Sequence, residues 1–206
     1  VVHDGQDFLN YARMGVLLDN LIHRHEVAPL IVCFTSGVDR NREYAANPRQ
    51  ADFLARDLVP HLRGRFPVLP GPEFNGLMGA SFGAVSSLYA ATRHPGVWGR
   101  LLLQSGSFAF TDIGEHERGV LWDPIVDFVN GFRGAPPPLE ARVYASCGTF
   151  ESLIYYNRSL VPVFQGATPE FRFTESPDGH NWINWRDRLR DALTYLFPGP
   201  LWLYYE

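Results

Sequence analysis

Residues Gly79, Ala80, Ser81, Phe82 and Gly83 form a G-x-S-x-G sequence. An apolar stretch, residues 76–79, precedes it, and a helical pattern, 82–93, follows it. A serine between strand and helix can serve as a nucleophile if a sharp turn lifts its hydroxyl above the sheet edge. Such a turn crowds the positions two residues to either side, so both need glycine. The exit helix also places a partial positive charge beneath the serine, which favours a developing oxyanion. The plain alternative is a glycine-bounded turn with an incidental serine; the strand and helix on either side favour the nucleophile.

A serine needs a base, and the base needs an acid to fix its tautomer and stabilise the imidazolium. Where serine comes first, the chain order is serine, acid, histidine. His180 follows the last expected strand and precedes the last helix, so its loop can reach over the sheet edge. Glu151 follows the preceding strand and is the expected acid. Glu175 and Asp178 are closer to His180 in sequence but share its strand or loop, which suits them less. Two backbone N–H groups must receive the oxyanion. Phe82, next after the serine, supplies one. The loop 3–8 supplies the other, with Gln6 as the donor and Gly5 expected to permit a tight turn.

These groups need a frame. Short apolar runs at 1–3, 30–35, 76–79, 100–104, 142–147 and 170–174 read as strands. Between them, helical spacing marks 12–23, 50–62, 82–93, 152–164 and 182–196. The alternation predicts an α/β fold, a mainly parallel sheet with helices on both faces. Residues 108–138 break the rhythm with Gly, Pro and charge, and read as a cap-like insertion with a short helix near 124–129. The chain of 206 residues reads as one domain, 1–206. Because Val1 and Val2 resemble the end of a strand, N-terminal strands are expected to be missing.

Composition narrows the function. The chain is 46% hydrophobic and 19% charged with a formal charge of −4, ordinary for a globular protein. No basic cluster suggests nucleic acid as a partner, and no apolar run is long enough for a membrane span. Cys33 and Cys147, each within an apolar run, read as buried free thiols rather than a disulfide. No signal peptide is visible at the start. The reading favours the cytoplasm; secretion or the periplasm stays open because the start reads as incomplete. The oligomeric state is not legible.

Five segments in order, 2–8 (VHDGQDF), 39–44 (DRNREY), 79–83 (GASFG), 103–108 (LQSGSF) and 178–186 (DGHNWINWR), resemble the enterochelin esterase-like, esterase D family of α/β-hydrolases. The resemblance covers nearly the whole chain. It implies the α/β-hydrolase fold and ester hydrolysis through an acyl-enzyme, with no metal or organic cofactor. Carried over by residue, it makes Ser81 the nucleophile, His180 the base, Glu151 the acid, and the Gln6 and Phe82 amides the oxyanion donors. Where many members place a second glycine after the elbow, this chain has Ala84.

The expected partner is a small-molecule ester, either a siderophore lactone or an acylated sugar. Arg40 and Arg42 follow the second expected strand, where a guanidinium fork could hold an anionic acyl group. Equally, they could be surface residues paired with Asp39 or Glu43. Phe108 and Trp182 are further candidates for the substrate side, although Trp182 and Trp185, at helical spacing, favour packing. Carbohydrate (feruloyl or acetyl) esterase and acyltransferase are competing readings on the same fold. A catalytically silent accessory domain is a third.

Overall fold

The computed structural model describes residues 1–112 and 116–200. Its centre is a parallel sheet of β1 (Gly76–Ala80), β2 (Arg100–Gln104), β3 (Arg142–Gly148) and β4 (Phe171–Ser176), side by side in chain order. Parallel neighbours need crossover helices, and the chain supplies them. α6 (Phe82–Arg93) joins β1 to β2, α7 (Asp123–Gly134) lies between β2 and β3, and α8 (Ile154–Ala167) joins β3 to β4. α9 (Trp182–Leu196) follows the last strand.

Alternate strand residues divide between two cores, as the pleat requires. Leu77, Leu101, Leu103, Val143 and Ala145 face α6, α7 and α8. Met78, Leu102 and Tyr144 face the opposite layer, which contains Leu189 and Leu193 of α9. That layer also holds Phe8 of α1 (Gly5–Asn10) and Leu18 of α2 (Met14–His23). Both faces of the sheet are covered, which explains why its strands read as continuous apolar runs.

The expected strands at 1–3 and 30–35 are shorter than their patterns suggest. Val2 bridges Phe34 on one side and Met78 on the other, both in parallel. Val2 N–H donates to Cys33, Thr35 N–H to Val2, and His3 N–H to Met78. Pairing covers only this short stretch, and it extends the sheet beyond β1.

The expected helix 12–23 is α2, which begins two residues later than its pattern, and an unexpected short helix, α1, precedes it. Arg13 has φ 52°, a left-handed conformation that separates α1 from α2. Residues 50–62 lie within a longer helical run made of α4 (Pro48–Asp52), a π turn over Phe53–Leu58, and α5 (Val59–Arg65). Pro60 explains the π turn: it has no N–H, and its ring would collide with the carbonyl four residues back in a regular helix. A short α3 (Arg40–Tyr44) precedes them. In the segment 108–138, Phe108 and Phe110 are buried, and α7 puts Ile125, Val129 and Phe132 into the core. Residues 113–115 of that segment lie outside the described residues.

Candidate active site

Ser81 ends β1 and caps α6 with φ 57° and ψ −119°. A non-glycine residue with positive φ persists only when its surroundings impose it. Gly79 and Gly83 make the turn possible. A Cβ on Gly79 would run into the Gly83 backbone, and one on Gly83 would lie 3.2 Å from the His3 Cβ. Ser81 N–H is held by the Gln104 carbonyl at 2.9 Å, leaving the half-exposed hydroxyl above the sheet.

The loops after β2, β3 and β4 lie at this same edge. Glu151 is buried after β3, and its Oε2 is 2.7 Å from His180 Nδ1. A carboxylate only accepts, so Nδ1 carries the hydrogen and Nε2 keeps its lone pair. Glu151 Oε1 accepts from Ser105 Oγ at 2.6 Å, Gly148 N–H at 2.7 Å and Asn184 Nδ2 at 3.2 Å. Burial alone would raise its pKa. The hydrogen bonds from His180, Ser105 and Gly148 outweigh burial and hold it below the usual carboxylate range.

The acid and base loops touch directly. Phe150 N–H donates to the Asp178 carbonyl at 3.1 Å, and a Cβ on Gly148 would occupy the place of that carbonyl oxygen. Asp178 shapes the base loop, accepting from Gly179 N–H at 2.7 Å and Asn181 Nδ2 at 2.9 Å. Glu175 turns away to pair with Arg158. Trp185 packs edge-on against the His180 ring at 5.0 Å.

The Ser81 hydroxyl is hydrogen-bonded to Ser107 Oγ at 3.0 Å rather than to His180. Sequence reasoning singled out neither Ser107 nor Ser105, although both lie in the LQSGSF segment. Asn184, one helical turn beyond His180, was likewise not foreseen.

The Phe82 and Gln6 amides make no backbone hydrogen bond outside helix and strand, and they are the first residue of α6 and the second of α1. The turn before Gln6 is not made by Gly5. Asp4 carries the left-handed φ of 53°, whereas Gly5 is needed because Phe34 packs where its side chain would be.

The substrate-side candidates divide. Arg40 is turned inward, with Nε 2.6 Å from Asp4 Oδ1 and Nη2 2.7 Å from Asp4 Oδ2. Its partner is therefore neither Asp39 nor Glu43, and the fork expected to hold an acyl group is already occupied by protein. Arg42 remains exposed, 3.5 Å from Asp39, and lines a cleft of about 650 Å³ with Asn41, Val120, Leu121 and Pro124. Phe108 is buried beneath the site, its ring 6.5 Å from that of Phe164, so it does not face a ligand. Trp182 packs against Phe8, Tyr11 and Trp185 and ties α9 to α1. An arginine not foreseen, Arg118, lies over the rings of Trp122 and Tyr156, and Trp122 meets Phe82 edge-on.

Residues 1–196 match the model of the Esterase family ("Putative esterase"). The chain belongs to this family. It is 25% identical over 201 residues to the iron(III) enterobactin esterase of Escherichia coli O6:H1, covering 96% of this chain and 49% of that one. The enterobactin esterase of Shigella flexneri, solved in the presence of 2,3-dihydroxy-N-benzoyl-glycine, superposes with a TM-score of 0.81 at 22% identity. That match covers 95% of this chain and 51% of the other. A ferulic acid esterase superposes with a TM-score of 0.70 at 14% identity, covering 95% and 82%. The fold of this Esterase family member is thus that of the α/β-hydrolases. The chain spans about half the length of the enterobactin esterases it matches. No helix among its described residues is long and apolar enough to cross a membrane.

Proposed function

We propose that the protein is a serine esterase that cleaves a carboxylic ester through an acyl-enzyme, with Ser81, His180 and Glu151 as its triad. One observation carries the reading: the buried Glu151 carboxylate fixes His180 with Nε2 unprotonated, at the sheet edge where Ser81 sits in a strained turn. In the first step Ser81 Oγ attacks the ester carbonyl and its proton passes to His180 Nε2. The amides of Phe82 and Gln6 receive the carbonyl oxygen as it becomes an oxyanion. Collapse breaks the bond to the alcohol oxygen, which takes the proton from His180. Water, deprotonated by His180, then releases the acid and restores Ser81. The chemistry draws on no metal or organic cofactor.

A siderophore-type aromatic acyl ester is the substrate class we favour, because the chain resembles iron(III) enterobactin esterases and two exposed arginines, Arg42 and Arg118, could meet an anionic or catecholate group. Arg118 and Trp122 would border that substrate. A feruloyl-type ester shares the aromatic acyl group and is the second reading, supported by the likeness to a ferulic acid esterase.

Fluorophosphonate labelling of the wild type and Ser81→Ala, followed by a panel of aryl and catecholate esters, tests the proposal. Labelling should vanish in the variant. Labelling that persists unchanged in Ser81→Ala would refute it. Product analysis with sugar acceptors present separates hydrolysis from acyl transfer.

A further inference from the structure

We infer that Ser107 is a further catalytic residue, a hydrogen-bond donor to Ser81 Oγ that assists departure of this oxygen when the acyl-enzyme is hydrolysed. The inference rests on Ser81 being the nucleophile.

The proton direction follows from burial. Ser107 is 2% exposed, and its hydroxyl is paired with Ser81 Oγ at 3.0 Å. A buried hydroxyl that donates to nothing is costly. If Ser81 were the donor, the Ser107 hydrogen would have no acceptor among the described residues. With Ser107 donating, it is satisfied, and the hydrogen on the half-exposed Ser81 stays free for the base.

The turn that carries Ser107 is heavily constrained. Ser105 has φ 46°, and its N–H donates to the Ser146 carbonyl at 2.6 Å. Its hydroxyl donates to Glu151 and accepts from Trp185 Nε1 at 2.9 Å. Gly106 leaves room for the Phe108 ring folded back over it, and its carbonyl accepts from the buried Asn157 at 2.9 Å. Ser107 N–H donates to the Ser81 carbonyl at 3.2 Å. The Ser107 hydroxyl is therefore set before substrate arrives, with no reorganisation to make during reaction.

A donor on Ser81 Oγ acts unequally in the two half-reactions. In acylation Oγ is the attacking atom, and a bond to its lone pair gives little help. In deacylation the bond between the acyl carbon and Oγ breaks, and Oγ leaves with the electron pair while His180 returns its proton. Ser107 stabilises the negative charge passing through Oγ at that moment. Hydrogen bonds to charged groups contribute enough for an effect of roughly tenfold to a hundredfold.

Rapid-mixing kinetics of a p-nitrophenyl ester with wild type, Ser107→Ala and Ser107→Thr test this. Ser107→Ala should lower kcat by roughly ten- to a hundredfold and lower KM with it, leaving kcat/KM within about threefold, with a burst near one equivalent. Added hydroxylamine, a stronger acceptor than water, should restore much of the turnover. Ser107→Thr, which keeps the hydroxyl, should recover kcat. A fall in kcat/KM matching the fall in kcat, without a burst, would make Ser107 merely structural and overturn the inference, as would an unchanged kcat. Should Ser107→Ala fail to fold, Ser107→Cys, a much weaker donor, must show the same burst, and its absence overturns the inference. Hydrolysis that survives Ser81→Ala overturns both readings; a Ser81-dependent reaction indifferent to Ser107 overturns only this one.

Discussion

Arg40 grips Asp4 through both oxygens of a carboxylate that is 7% exposed, directly beside the backbone turn that delivers Gln6. Tyr44 reinforces the pair, its hydroxyl accepting from Asp4 N–H at 3.2 Å and its ring lying 5.3 Å from the guanidinium. Removing one member of such a pair leaves a charge with no partner in a poorly solvated place.

Arg40→Met should therefore destabilise the protein by about 2 kcal/mol, below the fully buried range because Arg40 is itself partly exposed. Asp4→Asn combined with Arg40→Met should recover part of that loss. Urea denaturation of the two single variants and the double variant measures the coupling. A purely substrate-binding Arg40 would instead raise KM for anionic esters and leave the urea midpoint unchanged.

Glu151→Gln should cut kcat by about 10⁴-fold. Oxygen Oε1 receives three donors in the native site, so the glutamine oxygen takes that position. Its NH₂ then faces His180, and the imidazole must turn its lone pair to Nδ1. The proton moves to Nε2, the wrong nitrogen for a base. Steady-state rates with the variant's circular dichroism check the prediction.

Gly79→Ala and Gly83→Ala should differ sharply. The first drives a methyl into the Gly83 backbone, whereas the second only crowds the His3 side chain. An overpacking cost of about 1–3 kcal/mol and loss of fluorophosphonate labelling are expected for Gly79→Ala. Gly83→Ala should keep most of both, as melting temperature and labelling extent will show.

Stability should fall in acid below about pH 6.5. His3 is fully buried with neither ring nitrogen partnered, and its pKa is lowered to about 3, first by burial and then by nearby positive charge. Between that value and about 6.5 the unfolded chain binds a proton that the native protein refuses, so each pH unit costs about 1.4 kcal/mol. Glu151 acts in the same direction: its lowered pKa adds stability that is lost as pH falls through the carboxylate range. His3→Phe should flatten the stability profile above pH 5 in urea titrations.

The sharp turn at Ser81 was legible because its signal is local: two glycines, a serine, a strand and a helix lie within one short stretch. That His180 and Glu151 would meet was legible from strand order. Pairing was harder to read. Arg40 meets Asp4 across 36 positions, and Ser107 meets Ser81 across 26, contacts that only the register of neighbouring strands creates. The same limit misplaced Phe108, whose type suits a pocket but whose ring folds back over Gly106 into the core. Local conformation also escaped at residues 5–10, read as loop but helical, and at Arg13, whose left-handed backbone starts the next helix at Met14.

Strands β1 to β4 stand in the sheet in the order in which they leave the ribosome. Each of these strands borders the one made just before it, and the loops after them lie beside one another, an order that suits sequential assembly of the site. Ser81 arrives with the first described strand and His180 only after the fourth. Until the final helix seats, the nascent protein carries Ser81 without His180 beside it. Recovery of hydrolysis during refolding should accordingly trail the recovery of helical signal and report the closing step of folding.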